Sequence, residues 1–331
     1  MAARLRRACL REGALAGFRR AAPVPHHIRI PEQGKEIRGI MSETAKRIAS
    51  AVVALPVYLY GFATDQFQYI PILVISTIIS LGCLWEYYQI AGKDEKRKPF
   101  IAVGMIVGTL VNIIMYLYAF GKVLGYSAYI QNFDARVLLA ILTLGLAALV
   151  TLQIFKRPIE GGIYSLAVTV FGVIFLVFSF SHIILLKSLR DGFYYILILN
   201  AAVMLNDTFA YFGGVNFGKH KAGFAVSPNK SWEGYFSGLL GTVLAMILFS
   251  QGIEAFAGKE LFTTIEATLL GIALSVIGNI GDLAESAIKR DGAIKDSGSL
   301  IPGHGGFWDV FDALVLTMPL FYYYLVLTGA Q

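Results

Sequence analysis

The chain has 331 residues, of which 56% are hydrophobic and 15% charged, and its mean hydropathy is +0.64. Values this apolar exclude an ordinary water-soluble enzyme and point to a bundle of bilayer-spanning helices. The net charge of +6 is confined to the start: residues 1–40 hold nine Lys or Arg against three Glu, whereas 41–331 hold nineteen basic and nineteen acidic residues. The body of the protein is therefore neutral, and a pI of 9.1 gives no support to nucleic-acid binding.

Residues 1–40 are Arg-rich but contain Pro23, Pro25 and Pro31 and lack the apolar core of a secretory signal. An extension from an upstream start codon or a disordered tail is the simpler expectation, and a transit peptide is the alternative. Met41 then opens a short basic flank ending in Lys46 and Arg47, directly before the first apolar run. A helix needs about 20 apolar residues to cross the hydrocarbon core. Nine runs are placed as spans, near 48–63, 69–91, 99–120, 136–155, 162–187, 193–213, 234–256, 262–281 and 308–328. The first is short and carries Pro56. The expected fold class is thus all-α and polytopic.

An odd number of spans puts the termini on opposite sides. With the N-terminus inside, the cytoplasmic segments carry twenty-three Lys or Arg and the other side five; without residues 1–40 the bias is still fourteen to five. The N-terminus and the long loops after spans six and eight are therefore predicted to be cytoplasmic. Cys9 and Cys83 lie far apart in sequence, which disfavours a disulfide framework. His26, His27, His182, His220 and His304 show no zinc-ligand spacing.

Polar residues crowd in three places. Asn206-Asp207 falls inside the sixth run, where a carboxylate costs about 2.5–3.5 kcal/mol on insertion scales and normally faces a polar cavity or a partner. The bland alternative is an interhelical hydrogen bond from Asn206, with Asp207 neutral. The second place runs from Gly213 to Gly234. Ser227 followed by Pro228 there predicts a helix N-cap whose free N–H groups, with Lys230 nearby, suit an anion. By itself that is also what any capped basic loop would show.

The third place runs from Asp282 to Asp312. If 282–290 is helical, Asp282, Glu285, Ser286 and Lys289 share one face, and Asp309 and Asp312 repeat the three-residue spacing. Between them Pro302, Gly303, Gly305 and Gly306 predict a tight turn whose amides can approach phosphate. Clustered carboxylates beside Lys289, Arg290 and Lys295 are what divalent-metal phosphotransfer requires. Solvated ion pairs at a helix end are the alternative.

These motifs resemble the phosphatidate cytidylyltransferase (CDP-diacylglycerol synthase) family. Its C-terminal pattern is Ser-x-x-Lys-Arg, four residues, Lys-Asp, a Pro-Gly-His-Gly-Gly turn and two Asp three apart. Here it falls on Ser286, Lys289, Arg290, Lys295, Asp296, Pro302 to Gly306, Asp309 and Asp312. The Asn206-Asp207 pair and the segment from Ser227 to Gly234 match as well, so the likeness extends over about 130 C-terminal residues. Val310 departs from it, since the family usually has Arg or Gly there.

The resemblance implies transfer of CMP from CTP to phosphatidic acid, giving CDP-diacylglycerol and pyrophosphate. It implies Mg²⁺, one ion or two, with Asp282, Asp309 and Asp312 as ligands and Lys289 beside them in the catalytic set. Asn206, Asp207, Ser227, Lys230, Glu285, Ser286, Arg290, Lys295, Asp296, Gly303, His304, Gly305 and Gly306 would form the substrate site. His304 is expected to bind phosphate or pyrophosphate, because the attacking lipid phosphate is already anionic and needs no base. The catalytic domain would occupy 41–331, with its active site within 205–312. The membrane would be a bacterial inner membrane with the site facing the cytoplasm, or an organellar one if residues 1–40 are a transit peptide. Dimerisation is an expectation of the resemblance alone. A CTP-dependent polyprenol kinase is the nearest competing class, and a transporter a more distant one.

Overall fold

The structure is a computed structural model that describes residues 60–65, 67–125, 135–298, 300–301 and 305–329. Eight helices long and apolar enough to cross a membrane occur among them: α1 (Phe67–Ala91), α2 (Ile101–Phe120), α3 (Arg136–Lys156), α4 (Gly162–Ser188), α5 (Gly192–Phe217), α6 (Trp232–Ala257), α7 (Thr264–Asp291) and α8 (Phe307–Leu327). They correspond one for one to predicted spans two to nine, and the fold is an all-α polytopic membrane protein. The predicted span at 48–63 lies almost wholly outside the described residues.

The connections gather at two ends. At one end, the loops after α1, α3, α5 and α7 touch one another: Lys96 pairs with Glu160 at 2.8 Å, Arg157 donates to the Lys98 carbonyl at 3.3 Å, Lys93 donates to the Gly292 carbonyl and Arg290 to the Val226 carbonyl at 3.4 Å. At the other end Lys187 pairs with Asp65 at 2.8 Å and Lys259 with Asp191. Of the described Lys and Arg residues, twelve lie at the first end and five at the second.

The core is built around α4, the most enclosed span, with two-thirds of its most apolar window buried. Within it, Val173–Phe178 widens into a π-helical turn, a local irregularity that packing on both sides sustains. At the first end, the start of α8 wedges Trp308, fully buried, against Tyr87 of α1 and Phe175 of α4. The last three turns of α7 carry the polar residues from Asp282 onward, and the helix runs ten residues beyond the predicted span.

Candidate active site

One end of the bundle brings the second and third polar clusters together. Helix α7 stays regular to Asp291, so Asp282, Glu285 and Lys289 share one face, as predicted. The regular pattern of helix α8 is interrupted after Phe311 and resumes at Leu314. The backbone stays helical through Asp312 and Ala313, and the two acids of α8 nonetheless take different partners. Asp312 turns toward α7, where oxygens of Asp282, Glu285 and Asp312 all lie within 4.8 Å of one another.

Asp309 turns instead to the connecting loop. It accepts from the Gly306 N–H at 2.8 Å, the Ser297 N–H at 2.9 Å and the Lys289 ammonium at 2.8 Å, and lies 3.0 Å from the Ser297 hydroxyl oxygen. Lys289 also pairs with Glu285 at 2.7 Å, and the Glu285 side chain is 1% exposed. One oxygen of Glu285, Oε1, is buried with no hydrogen-bond partner among the described residues. A buried carboxylate oxygen left bare is expensive unless a cation serves it, so this donor set fits a hard divalent ion.

Lys230 reaches the group from the loop between α5 and α6, where it pairs with Asp282 and lies 5.5 Å from the centre of the Tyr235 ring. Burial is the largest single influence and works against its ammonium form, but Asp282, with Tyr235 and Asp312, together outweigh it and hold the Lys230 pKa above its usual value. The sequence expectation for this loop needs correcting. Ser227 is not a helix N-cap: its carbonyl accepts the Lys230 N–H at 3.3 Å and closes a turn. The chain then pairs back on itself, Ala222 N–H to Lys230 O at 2.9 Å and Trp232 N–H to His220 O at 3.0 Å, so a helix can begin only afterwards. The cap is Ser231, which accepts from the Gly234 N–H at 3.2 Å.

The remaining predicted residues fall into three groups. Ser286 is partly buried on α7, while Arg290, Lys295 and Asp296 are exposed at the same end. Asn206 is buried, and its Oδ1 accepts from Thr242 of α6 at 3.1 Å and Ser275 of α7 at 2.8 Å. Its amide nitrogen donates to Asp207 at 3.2 Å. The interhelical bond weighed as the bland alternative is therefore present. Gly305, at φ +98°, gives its N–H to Ile301 O at 3.2 Å. The turn amides of Gly305 and Gly306 are thus engaged within the protein. Pro302, Gly303 and His304 lie outside the described residues.

Sequence reasoning missed Glu86. It sits in α1 at 3% exposure and accepts from the Ser297 hydroxyl at 2.8 Å and from the N–H groups of Phe307 and Trp308, each at 3.0 Å. The available signal was an acid inside an apolar run, the same signal that marked Asp207.

The fold defines an integral membrane protein whose acids and cations cluster at one end of a helical bundle. Residues 45–328 match the model of the cytidylyltransferase family, and the chain belongs to that family. It is 32% identical to the phosphatidate cytidylyltransferase of Pseudomonas aeruginosa over 286 residues, 83% of this chain and 94% of that one. Over 138 residues, 42% of this chain, it is 43% identical to the chloroplastic phosphatidate cytidylyltransferase 5 of Arabidopsis thaliana and covers 33% of it. Over a stretch of the same length it is 39% identical to the Staphylococcus epidermidis phosphatidate cytidylyltransferase and covers 51% of it.

Proposed function

We propose that this protein is a phosphatidate cytidylyltransferase, transferring CMP from CTP to phosphatidic acid to give CDP-diacylglycerol and pyrophosphate. The observation that carries this reading is the meeting of Asp282, Glu285 and Asp312, from two helix ends, with Lys230 from a third element at one end of the bundle. An acid cluster ringed by cations at a membrane surface suits a nucleoside triphosphate reacting with a lipid phosphate. Asp282, Glu285 and Asp312 would hold Mg²⁺, and Asp309 orders the loop beside them through Ser297 and Gly306. When bound, such an ion supplies positive charge against the charge that builds on the reacting phosphates.

The chain's own residues position and neutralise. Lys230 is shared between Asp282 and an incoming phosphate, while Arg290 and Lys295, exposed at the same end, take the triphosphate. Lys289 keeps Glu285 and Asp309 in register. The sequence pattern alone assigns His304 to the departing pyrophosphate. An oxygen of the lipid phosphate forms a bond to the α-phosphorus of CTP, and the bond from that phosphorus to the bridging oxygen breaks. The electron pair leaves with pyrophosphate, and no covalent enzyme intermediate is required. The twelve-to-five bias of Lys and Arg supports a cytoplasmic position for this end, and with it a cytoplasmic N-terminus.

The test is a product assay on purified protein with labelled CTP, phosphatidic acid and Mg²⁺. Labelled CDP-diacylglycerol with stoichiometric pyrophosphate is expected. CDP as the sole nucleotide product would mean γ-phosphoryl transfer and would end this reading.

A further inference from the structure

We infer that Glu86 is a positioning residue for this active site: from α1 it fixes Ser297 and the start of α8, so that Asp309 holds Lys289 against Glu285. This rests on the reading of function above. Glu86 belongs to none of the sequence motifs, and its partners are 211 to 222 residues away in the chain. The first N–H groups of a helix lack partners inside the helix and attract negative charge. In α8 those of Phe307 and Trp308 go to Glu86, and the Gly306 N–H goes to Asp309.

Ser297 joins the two carboxylates. Its hydroxyl lies 2.8 Å from Glu86 and 3.0 Å from Asp309, and a hydroxyl has one proton to give. A chain of contacts therefore runs from Glu86 through Ser297, Asp309 and Lys289 to Glu285, ending on a proposed metal ligand. Gly306 fits this design, because a Cβ there would collide with the Glu86 carboxylate and the Ser297 hydroxyl. Glu86 itself does not reach the acids of α7 that face the substrate; its influence passes through Asp309.

The experiment compares Glu86→Gln, Ser297→Ala and the double variant in full-length protein, by steady-state kinetics and by hydrogen–deuterium exchange. Replacing the carboxylate by an amide sets an NH₂ group against donors, so kcat should fall about ten- to a hundredfold while KM for CTP stays within about threefold. The double variant should be within about twofold of Glu86→Gln, since groups acting as a unit are not additive. Amides of 305–309 should exchange faster, while those of α2 and α3 should not change. Loss of thermal stability with full kcat per folded molecule, or strictly additive losses, would overturn the inference.

If Glu86→Gln does not fold, Ser297→Ala carries the test. It leaves both carboxylates in place, and a normal kcat in it would count against the proposal. If the wild-type protein makes no CDP-diacylglycerol, the functional reading fails separately. The exchange measurement alone then decides whether Glu86 orders the turn.

Discussion

The two ends of this bundle arrange the same residue types differently. At the end away from the site, each acid in an ion pair has its own cation, Asp65 with Lys187 and Asp191 with Lys259. At the site end, among the described residues, Glu86, Asp282, Glu285, Asp309 and Asp312 cluster around two inward-reaching cations, Lys230 and Lys289. Paired charges at a membrane surface hold helices in place and contribute little energy. A surplus of acids held close together stores repulsion that folding alone does not reward, and a bound cation relieves it. This local surplus within the cluster, more than the presence of charge, distinguishes the working end from the structural one.

The comparison can be broken by removing acids from each end in turn. The largest losses are expected at the site: Asp282→Asn, Glu285→Gln, Asp312→Asn and Asp309→Asn should each lower CDP-diacylglycerol synthesis about a hundredfold or more. Labelled-CTP turnover would read this, with membrane insertion checked in parallel. Near-normal turnover in any one of them removes that residue from the proposed set. Chelation with EDTA should abolish turnover, and added Mg²⁺ should restore it; activity that survives chelation would reject the metal.

Asn206→Ala should act on stability, because it leaves Thr242 and Ser275 without a shared acceptor. Interhelical hydrogen bonds in membranes are worth about 0.6 kcal/mol each and at most about 1.7, so a loss of about 1–2 kcal/mol is expected by thermal unfolding in detergent. An unchanged melting temperature would show that the bond is not formed. At the opposite end, Asp191→Asn and Lys259→Ala break a part-exposed pair and should cost about 1 kcal/mol or less with turnover unchanged. A large drop in turnover there would erase the contrast between the ends. The smallest effect is expected from Val310→Arg. Val310 is 41% exposed, so an arginine has room, and a change within about 0.5 kcal/mol, roughly twofold in turnover, is predicted.

Much of the architecture was legible because the bilayer imposes a length and a composition on every span. The predicted runs from 69–91 to 308–328 recur as α1 to α8. The runs 193–213 and 262–281 came out too short, because α5 and α7 continue as helix into polar sequence that a hydropathy criterion ends at the membrane edge. Spacing also placed Asp282, Glu285 and Lys289 on one face correctly, since helical periodicity is local information.

What spacing did not show depended on contacts distant in sequence. The three-residue interval between Asp309 and Asp312 implied a common direction, but Asp309 turns back to the Gly306 and Ser297 N–H groups while Asp312 meets the acids of α7. Ser227-Pro228 has the chemistry of a helix start. The antiparallel bridge between Lys221 and Ser231 delays that start to Trp232. Glu86 was visible as an isolated acid, yet its partners could be known only once α1 and α8 were seen side by side.

That last contact bears on how the protein is made. A ribosome delivers α1 to the membrane long before Ser297, Phe307 and Trp308 exist, so the growing chain carries a buried acid whose donors are still unsynthesised. The final span supplies them, and with it the turn that orders Asp309. Completion of the active site and satisfaction of the earliest misplaced charge are therefore one late event in biogenesis, and a chain released before α8 is left with both undone.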